Sequence, residues 1–79
     1  MRLPRDISPR VFIQLVKKFG YQVTRQSGSH IQLTTFLDGQ HHITIPNHNP
    51  IRVGTLSTIL LKIGIHFNKT KEEIADELF

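Results

Sequence analysis

Seventy-nine residues with a hydrophobic fraction of 38% can build one small core, and the absence of cysteine excludes disulfide and thiolate–metal frameworks. No apolar run approaches the roughly 20 residues of a membrane span, and the first residues carry no signal-peptide core. The expectation is a single soluble, cytoplasmic domain over residues 1–79 that makes no use of a membrane. The net charge is +4, but Glu72, Glu73, Asp76 and Glu77 crowd the end, so residues 1–71 set ten bases against only Asp6 and Asp38, a net +8. A basic body with an acidic last helix points to a polyanionic partner, nucleic acid first.

The stretch 1–7, with Arg2, Pro4 and Arg5, reads as an extended arm. Ser8-Pro9 then opens a helix, because Ser is a favoured N-cap and Pro is tolerated at the first helical position. Val11, Phe12, Leu15, Val16 and Phe19 recur at helical spacing, and Gly20 supplies the stop. Three strands follow. Residues 21–26 place Tyr21 and Val23 on one face; residues 30–36 place Ile31 and Leu33 inward; residues 41–46 do the same with Ile43 and Ile45. Asp38-Gly39 is a strong hairpin signal, and Pro46 stops the third strand.

This pairing leaves one apolar face to be covered and one polar face collecting Gln22, Thr24, Gln26, His30, Gln32, Thr34, His42 and Thr44. Phe36 breaks the parity, which fraying or a bulge near the turn would explain. Leu56, Ile59, Leu60 and Ile63 form a second helical stripe after Gly54-Thr55, with Gly64 as its end. Thr70-Lys71-Glu72-Glu73 is a capping box opening a short last helix, whose apolar side is Ile74 and Leu78. The predicted order is α-β-β-β-α plus a short C-terminal helix. It is an α+β, two-layer arrangement with both main helices on one face of an antiparallel sheet, in the outline of a double-stranded-RNA-binding domain.

Chemistry concentrates at Arg25-Gln26-Ser27-Gly28-Ser29-His30. A Gly-containing turn delivers an imidazole to the first position of a strand, with two hydroxyls and nearby amides able to hold a phosphate or orient the ring. Alone, the pattern reads first as a hairpin turn followed by a surface histidine, since an isolated Gly-Ser-His is a weak signal. His41 and His42 do not suggest a metal pair, since adjacent strand residues face opposite sides, and no metal or other cofactor is expected. His66 falls in a linker with no evident role. Most rings, Phe12 and Phe19 among them, belong to core stripes, so recognition by shape and phosphate is expected over base stacking.

Taken together, Gly28-Ser29-His30, Ile45-Pro46-Asn47-His48 and Gly54-Thr55-Leu56 leading into a helix resemble the HicA family of toxin ribonucleases. These are the small partners in bacterial HicA–HicB toxin–antitoxin pairs. The resemblance runs from the helix before Gly20 to the helix after Gly64. It implies a double-stranded-RNA-binding-like fold, cleavage of messenger RNA and inhibition by a HicB-like antitoxin. The family's catalytic histidine falls on His30, its neighbours on Gly28 and Ser29, and its Pro-x-His segment on Pro46 and His48.

Metal-independent cleavage needs a base for the RNA 2′-OH and an acid for the leaving 5′-oxygen, both roles open to imidazole. His48, a Lys or water could supply the acid. Arg25, Lys17 and Lys18 are the candidate phosphate cations, although each also reads as a solvated surface charge. Two other readings stand beside the enzyme: a non-catalytic binding module for structured RNA, and a structural interaction domain. An imidazole directly after the Gly-Ser turn favours the enzyme, because a mere binder needs a cation there.

Overall fold

The computed structural model describes residues 2–79; Met1, the first residue of the expected arm, lies outside the described residues. The elements are α1 (Pro9–Val16) continued by a 3₁₀ turn (Lys17–Phe19), β1 (Gln22–Ser27), β2 (His30–Thr35), β3 (His41–Pro46), α2 (Val53–Phe67) and α3 (Lys71–Leu78). They form the expected α+β arrangement, with strand order β1-β2-β3, antiparallel throughout.

Local chemistry starts and stops α1 as anticipated. Ser8 Oγ accepts from the Val11 amide at 3.1 Å, and Pro9 occupies the first turn. Gly20 closes the 3₁₀ turn at φ 82°, where a side chain is strained. Space demands glycine there as well: a Cβ would sit 2.7 Å from Thr35 Oγ1. That hydroxyl is committed, donating to the Phe19 carbonyl at 2.7 Å, which ties the end of β2 to the end of the first helix.

The inward faces of β2 and β3 meet the expectation, with Ile31 opposite Ile45 and Leu33 opposite Ile43, all buried. Phe12 and Val16 of α1 and Leu56, Leu60 and Ile63 of α2 close the same core. β1 departs from the simple alternation. Val23 pairs with Leu33 yet is 44% exposed, because β1 is an edge strand and the core does not reach across it.

Between Val23 and Arg25 the register shifts by one residue, a bulge at Thr24. Beyond it, Arg25 lies opposite Gln32 and Gln26 opposite Ile31. The bulge therefore exchanges the two: Arg25 joins the polar face in place of Gln26. Phe36 needs no bulge of its own. β2 ends at Thr35, and Phe36 stands 71% exposed in the hairpin loop that carries Asp38 and Gly39.

Gly64 does not end α2. The helix continues to Phe67 and is closed by Asn68 in the left-handed region, φ 57°. Gly64 is instead a contact point, since a Cβ there would lie 2.5 Å from the Lys69 carbonyl oxygen as the chain folds back into α3. α3 opens on the expected capping box, with Glu73 N donating to Thr70 Oγ1 at 3.0 Å and Thr70 N to Glu73 Oε1 at 2.8 Å. These bonds hold the Glu73 carboxyl below its usual range. α3 buries Ile74, Ala75 and Leu78 and is braced by Lys71 Nζ on Ser57 Oγ and Lys18 Nζ on the Glu77 carbonyl, each at 3.0 Å. No helix among the described residues is long and apolar enough to cross a membrane.

Candidate functional site

Ser27 and His30 pair across the two-residue turn Gly28-Ser29, so β1 and β2 themselves fix where the imidazole stands. Gly28 does not use positive φ, and a Cβ on it would meet nothing within 4 Å; the fold leaves open space against this backbone. The turn is held from the residue that follows β3: the Asn47 amide donates to the Ser29 carbonyl at 2.8 Å, and its side-chain Nδ2 reaches the Gly28 carbonyl at 3.4 Å. Ser29 Oγ lies 2.9 Å from His30 Nδ1. When the hydroxyl accepts from Nδ1–H, Nε2 is left with its lone pair free, the tautomer of a general base.

His30 is exposed and lines a shallow depression of about 150 Å³ with Arg25, Ser27, Gln32 and Thr44. Arg25 is present because of the bulge; unbroken alternation would turn it to the opposite side. Of the residues singled out in the sequence, then, Gly28, Ser29, His30 and Arg25 come together. His48 does not join them. It lines a separate depression of about 260 Å³ with Pro46, Arg52 and Thr55, and its Nδ1 donates to the Pro50 carbonyl at 3.2 Å. Lys17 borders a larger cleft of about 420 Å³ between α1 and the start of β1, and Lys18 reaches α3. The larger cleft lacks histidine, whereas the His30 depression holds imidazole, guanidinium, amide and hydroxyl side by side.

Ser27 belongs to the stretch singled out in the sequence, whereas Gln32 and Thr44 are site members outside it. Parity put Gln32 and Thr44 on the polar face, but only the register, Gln32 opposite Thr44 and Arg25, places them beside the imidazole.

A second group of titratable residues lies at the other end of the sheet. Tyr21 Oη is 2.7 Å from His41 Nδ1, and the His41 ring stacks on that of His66, centroids 4.4 Å apart and 8° from parallel. His66, far from idle in a linker, sits in the last turn of α2, and its Nε2–H donates to the Leu37 carbonyl at 2.8 Å. Burial pushes the Tyr21 phenol well above its usual range. Burial also lowers His41, helped by the neighbouring charges of His66, His42 and Lys62. Among the described residues, no three His, Asp or Glu side chains converge as a metal site.

The structure is thus a small α+β domain with a basic body and a histidine beside an arginine on the uncovered face of its sheet. The chain matches the family model described as HicA toxin of bacterial toxin-antitoxin over residues 9–65, and it belongs to the HicA toxin family. It is thus a toxin of a toxin–antitoxin system, the class that implies a cognate antitoxin. The match begins with α1 and stops two residues short of the end of α2, so α3 lies beyond it. Comparisons with curated proteins and with solved structures return no match.

Proposed function

We propose that this HicA toxin is an endoribonuclease acting on messenger RNA, with His30 as its general base. One observation carries the reading: an exposed imidazole, bonded at Nδ1 to Ser29, shares its depression with Arg25. His30 Nε2 takes the proton of a ribose 2′-OH, whose oxygen attacks the adjacent phosphorus. The new O2′–P bond forms as the P–O5′ bond breaks, and the leaving O5′ takes a proton from water. Arg25 offsets the charge that grows on the non-bridging oxygens. Both products follow from this path, a 2′,3′-cyclic phosphate and a 5′-hydroxyl, and no metal enters it.

The cognate inhibitor in this reading is a HicB-like antitoxin that covers His30 and the basic surface. Inhibition in trans is favoured because α3, the one strongly acidic element, packs against α2 through Lys71 on Ser57 and is tied at Glu77 to Lys18 in the 3₁₀ turn after α1. Opposite charges on toxin and antitoxin make association fast and salt-sensitive.

The test has two arms. Expression of the chain alone arrests growth and the His30→Ala form does not; purified protein cleaves RNA in EDTA and spares RNA methylated at the 2′-oxygen of the cut site. Binding of RNA without cleavage would leave a binding module. Cleavage lost in EDTA and restored by magnesium would require a different mechanism.

A further inference from the structure

The polar face of the sheet carries a chain of side-chain hydrogen bonds whose direction can be worked out. Thr24 Oγ1 donates to Gln32 Oε1 at 3.4 Å, which uses the only hydroxyl hydrogen Thr24 has. At its 2.7 Å contact with Thr34 Oγ1, Thr24 must therefore accept, and Thr34 donates. Thr34 in turn accepts at 2.7 Å from His42, whose Nδ1 thus bears the hydrogen. The other ring nitrogen, Nε2, accepts from Gln40 Nε2 at 3.3 Å. From Gln40 through His42, Thr34 and Thr24, every bond points the same way and ends on the carbonyl oxygen of Gln32.

The consequence falls on the His30 depression, where Gln32 is a wall residue. With Oε1 held toward Thr24, the amide presents its N–H₂ group elsewhere, and among the described residues no acceptor pairs with that nitrogen. Arg25 beside it is also donor-only. Donors beside the reacting phosphate select a base edge that supplies acceptors. Guanine and uracil carry a carbonyl oxygen at the ring position where adenine and cytosine carry an amino group, which would set donor against donor.

We propose that Gln32 is a specificity-determining residue: held by Thr24 at the end of the oriented chain, its amide nitrogen reads the base beside the cut phosphate and favours guanine or uracil over adenine or cytosine. The proposal rests on the reading of this depression as a ribonuclease site. It concerns base edges in one strand and needs no aromatic platform, consistent with rings that are mostly committed to the core.

The experiment maps cleavage sites in one pool of RNA randomised around the cut, for the wild type, Gln32→Ala, Gln32→Glu and Thr24→Val. Ratios within a single pool cancel any overall change in rate. The wild type favours G or U at one flanking position by about fivefold, the share of a single hydrogen bond. Gln32→Ala brings that ratio near one. Gln32→Glu, which has no N–H but an extra acceptor, inverts it toward A or C. Thr24→Val keeps Gln32 but frees its amide to turn, and the ratio falls toward one, a change that a merely structural role would not produce. Wild-type selectivity retained in Gln32→Ala overturns the proposal while His30-dependent cleavage leaves the ribonuclease reading standing. A wild type that cuts no RNA overturns both.

Discussion

The two ends of one strand ladder present histidine in opposite conditions. His30 and His41 stand at the two ends of the β2–β3 pairing, His30 opposite Pro46 and His41 opposite Thr35, separated by about 17 Å of strand at the usual rise. At the first end the ring is exposed, held at one nitrogen by a serine and flanked by an arginine across an open depression. At the second it is packed between Tyr21 and His66, with one nitrogen bound by a phenol and one face covered by another imidazole. Residue type and strand geometry are the same; solvent access and neighbours differ. The exposed ring is open to solvent and, in the proposed reaction, to substrate, whereas the packed ring joins the start of β1, the β2–β3 hairpin and the end of α2.

Substitutions at each end in turn separate the two histidines. His30→Ala should cut RNA cleavage by a factor of about 10² to 10⁴, the usual worth of a general acid or base, while the unfolding free energy moves by no more than about 0.5 kcal/mol. Denaturant melts and single-turnover assays on one preparation check both halves. An unchanged cleavage rate in a folded His30→Ala protein would end the assignment.

Tyr21→Phe should do the reverse. Removing the hydroxyl leaves His41 Nδ1 without its partner and should cost about 1–3 kcal/mol of stability, read as a lower denaturant midpoint, with cleavage by the folded protein unaltered. A loss of activity exceeding the loss of folded protein would show that the two ends are coupled.

A smaller effect is expected outside both ends. Thr70→Ala removes the α3 cap and should cost about 1 kcal/mol. Because α3 packs on α2 and not on the sheet's open face, RNA cleavage by the folded fraction should be unchanged, as measured by comparing melts with initial rates.

These contrasts also show what the sequence could and could not carry. Ser8-Pro9 and Thr70…Glu73 were readable because a cap is settled within four residues. Ile31, Leu33, Ile43 and Ile45 were readable because alternation is a property of one strand at a time. The bulge at Thr24 was not, since it exists only in the pairing of β1 with β2, and it moved Arg25 and Gln26 to opposite faces from those alternation gives them. Gly64 has the look of a helix stop; only the return of the chain at Lys69 shows why a side chain is excluded there. His41 and His66 lie 25 positions apart in a chain whose local pattern puts one on a strand and the other past the expected helix end, so nothing local announces their stacking. Lys18 likewise finds its partner, the Glu77 carbonyl, 59 residues away. For the candidate site, the histidine and its turn were legible, while its company was decided by register.

The smallest predicted effect is the most specific to the packed end. His41 titrates below the ordinary histidine value in the folded protein, chiefly through burial, then through the charges of His66 and Lys62 on α2 and His42 on β3, with Tyr21 facing it from the start of β1. An unfolded chain returns His41 to a value near 6.5. Between the lowered folded value and that point the unfolded state holds more protons, so the sign of the linkage makes stability rise with pH across this window and fall as the medium is acidified. Protonation of His41 in the folded state also sets a cation against the His66 ring 4.4 Å away. Glu73 acts in the same direction at lower pH, because a carboxyl held below its usual range loses its stabilisation as pH falls through the carboxylate range. The two are separable: His41→Gln should flatten the dependence of the melting temperature just below the ordinary histidine value and leave the decline through the carboxylate range in place. A His41→Gln protein whose melting temperature tracks the wild type throughout pH 5–7 would show that the packed imidazole contributes nothing to the acid response, and the contrast between the two ends of the ladder would then rest on geometry alone.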